Sequence, residues 1–334
     1  MTFHDDLVAP TATGLPDRFF DRFVFNLHAP DSTDLSLLVG CGLYPPADVV
    51  DGFVVLVHGG RQRNLRFSTE LSATDGSGVG PFGFRVVEPM TTWALTLADN
   101  PTGVAFDLVW RARTPAWSGD VAVPNGAGPA SSFEHLFQSG RYEGTVTVDG
   151  REHDVTGWFG QRDRSRGVRT MSGGQGLHLW FQAQFPDRSV GFLLVEDRDH
   201  GRILLEGAVM HEDGGLDPIA DVVHDLVFDD LLDLRSGRVR VTTATGEVML
   251  VDADGSADGG FMAGAGYGGG HGHPVGRDHL EHDEYPLDGT VGPRTLDSAL
   301  TDRLAAFDWA GVRGTGVFEF AHSRSPRYGY RSSL

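Results

Sequence analysis

The chain has 334 residues whose 27 basic side chains are all arginine, and its single cysteine is Cys41. Without lysine there is no Schiff-base, pyridoxal-phosphate, P-loop, kinase or Ser-Lys acylating chemistry; with one cysteine there is no intrachain disulfide, cysteine-rich zinc module, iron–sulfur cluster or CxxC redox pair. A formal charge of −19 repels phosphate backbones and anionic headgroups, so neither nucleic acid nor a membrane surface is an expected partner.

No apolar run reaches the ~20 residues of a membrane span. Met1 to Pro10 carries acidic residues where a signal peptide would be positive, so a cytoplasmic, soluble protein is expected. Forty-six glycines and 17 prolines cut the chain into short segments rich in β-branched and aromatic residues, which predicts an all-β fold. Strands are expected at Leu35 to Tyr44, Phe53 to His58, Leu65 to Leu71, Phe82 to Glu88, Trp93 to Leu97 and Val104 to Arg113. Residues 116–132 read as a long loop. A hairpin follows in Tyr142 to Trp158, where Asp149-Gly150 tolerates the positive φ angles of a type I′ turn.

Two β domains are expected, 1–172 and 173–334, with the junction in Met171 to Gly176. Helical spacing is possible in Ala220 to Leu234 and in Leu296 to Phe307, although the first also reads as a strand followed by a turn. The tract Gly259 to Gly276 is too long for a tight turn and reads as a functional loop. An antiparallel chain of this size must hide its sheet edges, and barrels or sandwiches do so.

The segment Gly157 to Arg169 breaks the alternating pattern with Trp158, Phe159, Arg162, Asp163, Arg164, Arg166 and Arg169. Buried charges need partners. Either Asp163 and its flanking guanidiniums pin the junction between two domains, or the segment lines a cavity with Asp163 as acid or orienting group, Trp158 as an aromatic wall and Phe159 as a substrate contact. Neighbours on a strand point to opposite faces, so proximity in sequence does not decide between the two. A second cluster, His271, His273, His279 and His282 among acidic residues, invites a metal reading, but its spacing matches no established zinc motif and HExxH is absent. A solvated loop and a histidine-assisted active-site loop stay open for it, with His271 and His273 as candidates. His135, Tyr142, Trp110 and Trp180 are further candidates for a cavity wall, each with a structural alternative.

Gly157 to Gly167, with its Asp-Arg-Ser-Arg-Gly core, resembles the Asp-x-x-Trp-Gly signature of the carotenoid 1,2-hydratase and AttH-like superfamily, the lipocalin-like hydroxyneurosporene synthase family. Arg166 stands where that pattern has tryptophan. Gly42-Leu43-Tyr44-Pro45, Arg61-Gln62-Arg63-Asn64, Glu88-Pro89, Phe106 to Trp110, Gly140-Arg141-Tyr142 and Gly316 to Glu319 resemble an actinobacterial branch of it and span nearly the whole chain in order. The resemblance implies two lipocalin-like antiparallel β-barrels packed side by side, with a hydrophobic cavity at their interface. It also implies a cofactor-independent hydratase, isomerase or cyclase acting on an isoprenoid, steroid-like or polyketide substrate by alkene protonation, with Asp163 as the acid. Arg162 or Arg164 would position Asp163 or bind a polar substrate group. A binding protein of the same fold, without chemistry, is the alternative.

Overall fold

The computed structural model describes residues 5–123, 131–169, 175–255, 262–263, 271–296 and 300–334. Most of the expected junction and of the glycine-rich tract therefore lies outside the described residues. The first half forms β1 (Phe19–His28), β2 (Leu35–Tyr44), β3 (Val49–His58), β4 (Arg61–Glu70), β5 (Gly78–Val79), β6 (Phe82–Glu88), β7 (Thr92–Leu97), β8 (Val104–Ala112), β9 (Trp117–Val123), β10 (Ser131–Val148), β11 (Arg151–Asp154) and β12 (Phe159–Val168). The second half forms β13 (Gln175–Gln184), β14 (Arg188–Asp197), β15 (Arg202–His211), β16 (Leu216–Phe228), β17 (Leu234–Thr243), β18 (Val248–Asp254), β19 (Met262–Ala263), β20 (His279–Pro286), β21 (Thr301–Trp309) and β22 (Val312–His322).

No α-helix occurs among the described residues. Ala220 to Leu234 takes the strand-and-turn alternative, as the end of β16, a turn and the start of β17, whereas the helical expectation for Leu296 to Phe307 is corrected, since most of it belongs to β21. Both faces of β21 are covered, which removes the alternation that identifies a half-buried strand. The hairpin is as expected, with β10 returning through β11 and Asp149 and Gly150 at φ 52° and 79°.

The first sheet runs β20-β4-β3-β2-β1-β12-β10-β8-β7-β6-β5 and curls into a half-barrel. The second runs β18-β17-β16-β15-β14-β13-β22-β21, and β18 pairs with β21 to close eight strands. Each encloses its own core, with Phe25, Trp93 and Trp110 in the first and Phe181, Phe192 and Phe318 in the second. β20 departs from chain order: it joins the first sheet at β4, where Arg61, Arg63 and Arg66 meet Glu281, Asp283 and Glu284. The two units meet through their outer faces. Val24, Leu38 and Phe53 of the first pack on Trp180, Leu193 and Val317 of the second.

Strand alternation in β12 decides the fate of the arginine-rich segment. Arg162 and Arg164 turn into the first unit and are fully buried there. Arg162 pairs with Asp5 at 2.6 Å and lies over the Trp93 and Trp110 rings; Arg164 grips both oxygens of Asp21 at 2.9 and 3.0 Å. Burial works to raise the Asp5 carboxyl, but Arg162, the Met90 amide and the Trp93 indole hold it below the usual range. The expectation that either arginine would position Asp163 is not met, because their partners lie on the opposite face. Removing one member of such a pair strands a buried charge, so Arg164→Leu should cost about 3–5 kcal/mol. The double variant Asp21→Leu/Arg164→Leu should recover most of that loss, as read from denaturation midpoints.

Candidate functional site

Asp163 and Ser165 take the outer face of β12, and His135 stands beside them on β10, its position paired with Ser165. Across the interface, register places Asp302 of β21 opposite Glu319 of β22, and Glu319 opposite Trp180 of β13. These side chains, with His178, Val24 and Leu38, line one cavity of about 70 Å³ between the two sheets. A drug-sized ligand needs roughly 300–1,000 Å³, so a cavity this small holds the reacting end of a molecule and not the whole of a large one.

Two buried polar groupings converge on it. In the first, His135 donates from Nε2 to Asp163 Oδ2 at 2.6 Å and from Nδ1 to Glu206 of β15. Burial works to lower the imidazole's pKa, but the carboxylates on its two sides outweigh burial and push it up to about 10. His135 is therefore a cation at neutral pH, and it ties the first sheet to the second. In the second grouping, Asp302 is buried beside Glu319, which also accepts from His178 Nε2 at 2.8 Å. Burial first, then the charge and hydrogen bond of Glu319, hold the Asp302 carboxyl well above the usual range. A carboxyl shifted upward in this way is better suited to giving up a proton than an ordinary one.

Of the residues singled out from the sequence, Asp163, His135 and Trp180 come together at this cavity. Arg169 also lines it, whereas the other candidates do not. Trp158 packs on the first core, and Trp110 and Tyr142 are inside it, with the Tyr142 hydroxyl donating to Asn26 O at 2.9 Å. Phe159 lies under Arg113 and Arg141. His271 sits nearby, 3.5 Å from Asp51 and edge-on to Phe53. Its pKa is lowered by burial and by the charges of Arg22 and Arg169, against the pull of Asp51. His273 is exposed, and His279 and His282 lie on β20. Among the described residues no group of three or more side chains is placed to hold a metal ion, and no helix is long and apolar enough to cross a membrane.

Asp302, His178 and Glu206 are not among the residues expected from the sequence, and Glu319 enters there only as the end of the Gly316 to Glu319 motif, although it stands between Phe318 and Phe320. That lone acid in an apolar strand was the available signal. Its partners depend on the register of β21, β22 and β13, which no local pattern reveals.

A family model described as a family of unknown function (DUF8625) matches residues 5–324. No curated protein matches the sequence. Among solved structures, an AttH-like protein of Nitrosomonas europaea superposes with a TM-score of 0.61 at 12% identity, over 94% of this chain and 99% of that one. Kievitone hydratase from Nectria haematococca gives 0.56 at 12%, over 94% of each chain. CghA in complex with Sch210972 gives 0.50 at 12%, over 95% of this chain and 93% of that one. The chain thus shares with these proteins a fold of two lipocalin-like barrel domains side by side.

A pKa raised in the folded state stabilises fully below the unfolded value and is lost as pH climbs through the folded one. For His135 that window runs from about 6.5 to about 10, with a slope of up to about 1.4 kcal/mol per pH unit. Asp302 contributes a fall of the same sign that begins near pH ~4, so a variant must isolate the histidine. In His135→Gln the stability lost between pH 6.5 and 10 should be clearly smaller than in the wild type, as measured by urea unfolding at each pH.

Proposed function

The chain belongs to the family of unknown function DUF8625, and we propose that its interface cavity is the active site of an enzyme that protonates an apolar substrate, with no cofactor in the route. The observation that carries this reading is that two carboxyl groups in unlike surroundings share one small cavity: Asp302, buried beside Glu319 with its pKa raised, and Asp163, hydrogen-bonded to the His135 imidazolium. One group gives a proton and the other takes one, which is the division of labour that acid–base catalysis needs.

Asp302 delivers its proton to an alkene carbon, and Glu319, hydrogen-bonded to His178, stabilises the acid before transfer. The positive charge that develops on the substrate lies between the Trp180 face and the carboxylates. Asp163 accepts the proton that must leave, from added water for hydration or from carbon for isomerisation or cyclisation. His135 and Glu206 position it. The apolar contacts around Trp180, Leu38 and Val24 suit an isoprenoid, steroid-like or polyketide framework. That a kievitone hydratase shares this fold supports a hydratase-type reaction. Arg162, Arg164, Tyr142, Trp110, Trp158 and Phe159 serve the scaffold on this reading, and His271 borders the site.

Incubation with a lipid-soluble extract of the host in D₂O tests it. Mass spectrometry should find a product with carbon-bound deuterium, with or without the mass of added water. Asp302→Asn should abolish that label while raising the melting temperature at pH 7–8, because a neutral side chain then sits where the fold disfavours an ionised one. Asp163→Asn should lose turnover by a factor of roughly 10²–10⁴. A ligand that always returns unlabelled would instead make the protein a carrier.

A further inference from the structure

Directly behind the cavity, the same two outer faces carry polar side chains that the chemistry above leaves unused. Gln161 lies two residues before Asp163 on β12, and Gln182 two residues after Trp180 on β13. Both are completely buried. Neither the oxygen nor the nitrogen of either amide has a hydrogen-bond partner, and the same holds for Asn26 Nδ2 and Trp180 Nε1. Asn26 shares the Gln161 position on the neighbouring strand, where its Oδ1 accepts from the Gln161 backbone amide at 2.9 Å. Gly191 makes room opposite Gln182; a Cβ there would stand 2.9 Å from Gln182 Oε1 and 3.2 Å from the Phe137 ring.

An unmet buried amide is costly, and evolution rarely leaves several together without a ligand for them. The atoms here include both donors and acceptors. An anion would face the two amide oxygens and a cation the N–H groups, whereas water bonds to both kinds at once and makes about three such bonds when buried. The next row of residues continues toward the surface: Ser139 donates to Gln184 and accepts from Arg113 Nε at 2.9 Å, and Arg113 pairs with the partly exposed Glu212 at 2.9 Å. His28 stays neutral there, its pKa lowered to about 4 by burial and, despite the Ala29 carbonyl, by the Arg113 charge.

We propose that Gln161, Gln182, Asn26 and Trp180 hold a file of internal waters between the barrels, and that this file supplies the water consumed in the cavity. This rests on the alkene-protonation reading for its consequence, not for the site itself. The π electrons of the alkene take the Asp302 proton to form a C–H bond. A lone pair of the leading water forms the C–O bond at the adjacent cationic carbon, and the surplus proton on that oxygen passes to Asp163. The sum is addition of H₂O; exchange with solvent restores a proton to Asp302 and removes one from Asp163. A nucleophile already bound at the cavity wall makes hydration, rather than proton loss, the main outcome.

A high-resolution crystal structure of the unmodified protein should show ordered waters bonded to the Gln161 and Gln182 amides and to Trp180 Nε1; amides bonded to one another or to protein groups, with no water, would overturn the proposal. Water ¹⁷O relaxation dispersion gives a second reading in solution. Its amplitude should fall in Gln161→Leu/Gln182→Leu, or in the single Met variants if the double does not fold, and an unchanged amplitude in a folded variant counts against the site. In the D₂O extract assay, the ratio of water adduct to deuterated isomer should drop by roughly tenfold in the same variants, and an unchanged ratio refutes delivery from this file. If the wild type shows the waters yet never labels a product, the proton-transfer reading fails and the water site stands.

Discussion

One imidazolium joins the two halves of the molecule. His135 donates to Asp163 on the adjacent strand of its own sheet and to Glu206 on the other sheet, so the docking of the barrels and the charge state of the cavity are a single electrostatic arrangement. Without the proton on His135, two carboxylates would face each other in a buried interface, a costly configuration. With it, Asp163 is fixed in position by a charged hydrogen bond. Asp302 keeps other company: burial and the neighbouring Glu319 carboxyl push its pKa up.

The cavity lies between the outer faces of the sheets, while the inner faces pack the cores. Each barrel is packed with aromatic and aliphatic side chains, and the first is sealed further by Arg162 and Arg164 with their aspartates. Where two convex sheets touch, their curvature leaves a gap, and that gap can be lined by residues from both without weakening either core. It also explains why catalytic candidates come from β10, β12, β13, β15, β21 and β22 rather than from one loop.

Legibility in the sequence followed burial. β2 and β6 have the bounds expected from glycine and proline punctuation, and Asp149-Gly150 identified its hairpin. β21 was misread because one face fills the barrel and the other the interface, so Leu304, Ala305 and Phe307 show no two-residue period. Asp163 stood out through its unusual neighbours, but those neighbours turned out to serve the other face of the strand. Glu206 and Asp302 could not have been found that way. Each acquires its role from a residue distant in sequence, and only strand register and the docking of two sheets bring them together.

The strand that caps the first sheet comes from near the end of the chain. β20 pairs with β4 through a ladder in which three arginines meet three acids. During synthesis the first half-barrel emerges long before β20 does, and β4 then stands as an open edge able to recruit strands from other chains. Arg61, Arg63 and Arg66 guard it in the meantime, since two such edges repel each other. The same charges later select the acidic strand that belongs there, so one set of side chains acts first as a barrier to misassembly and afterwards as the clasp that completes the fold.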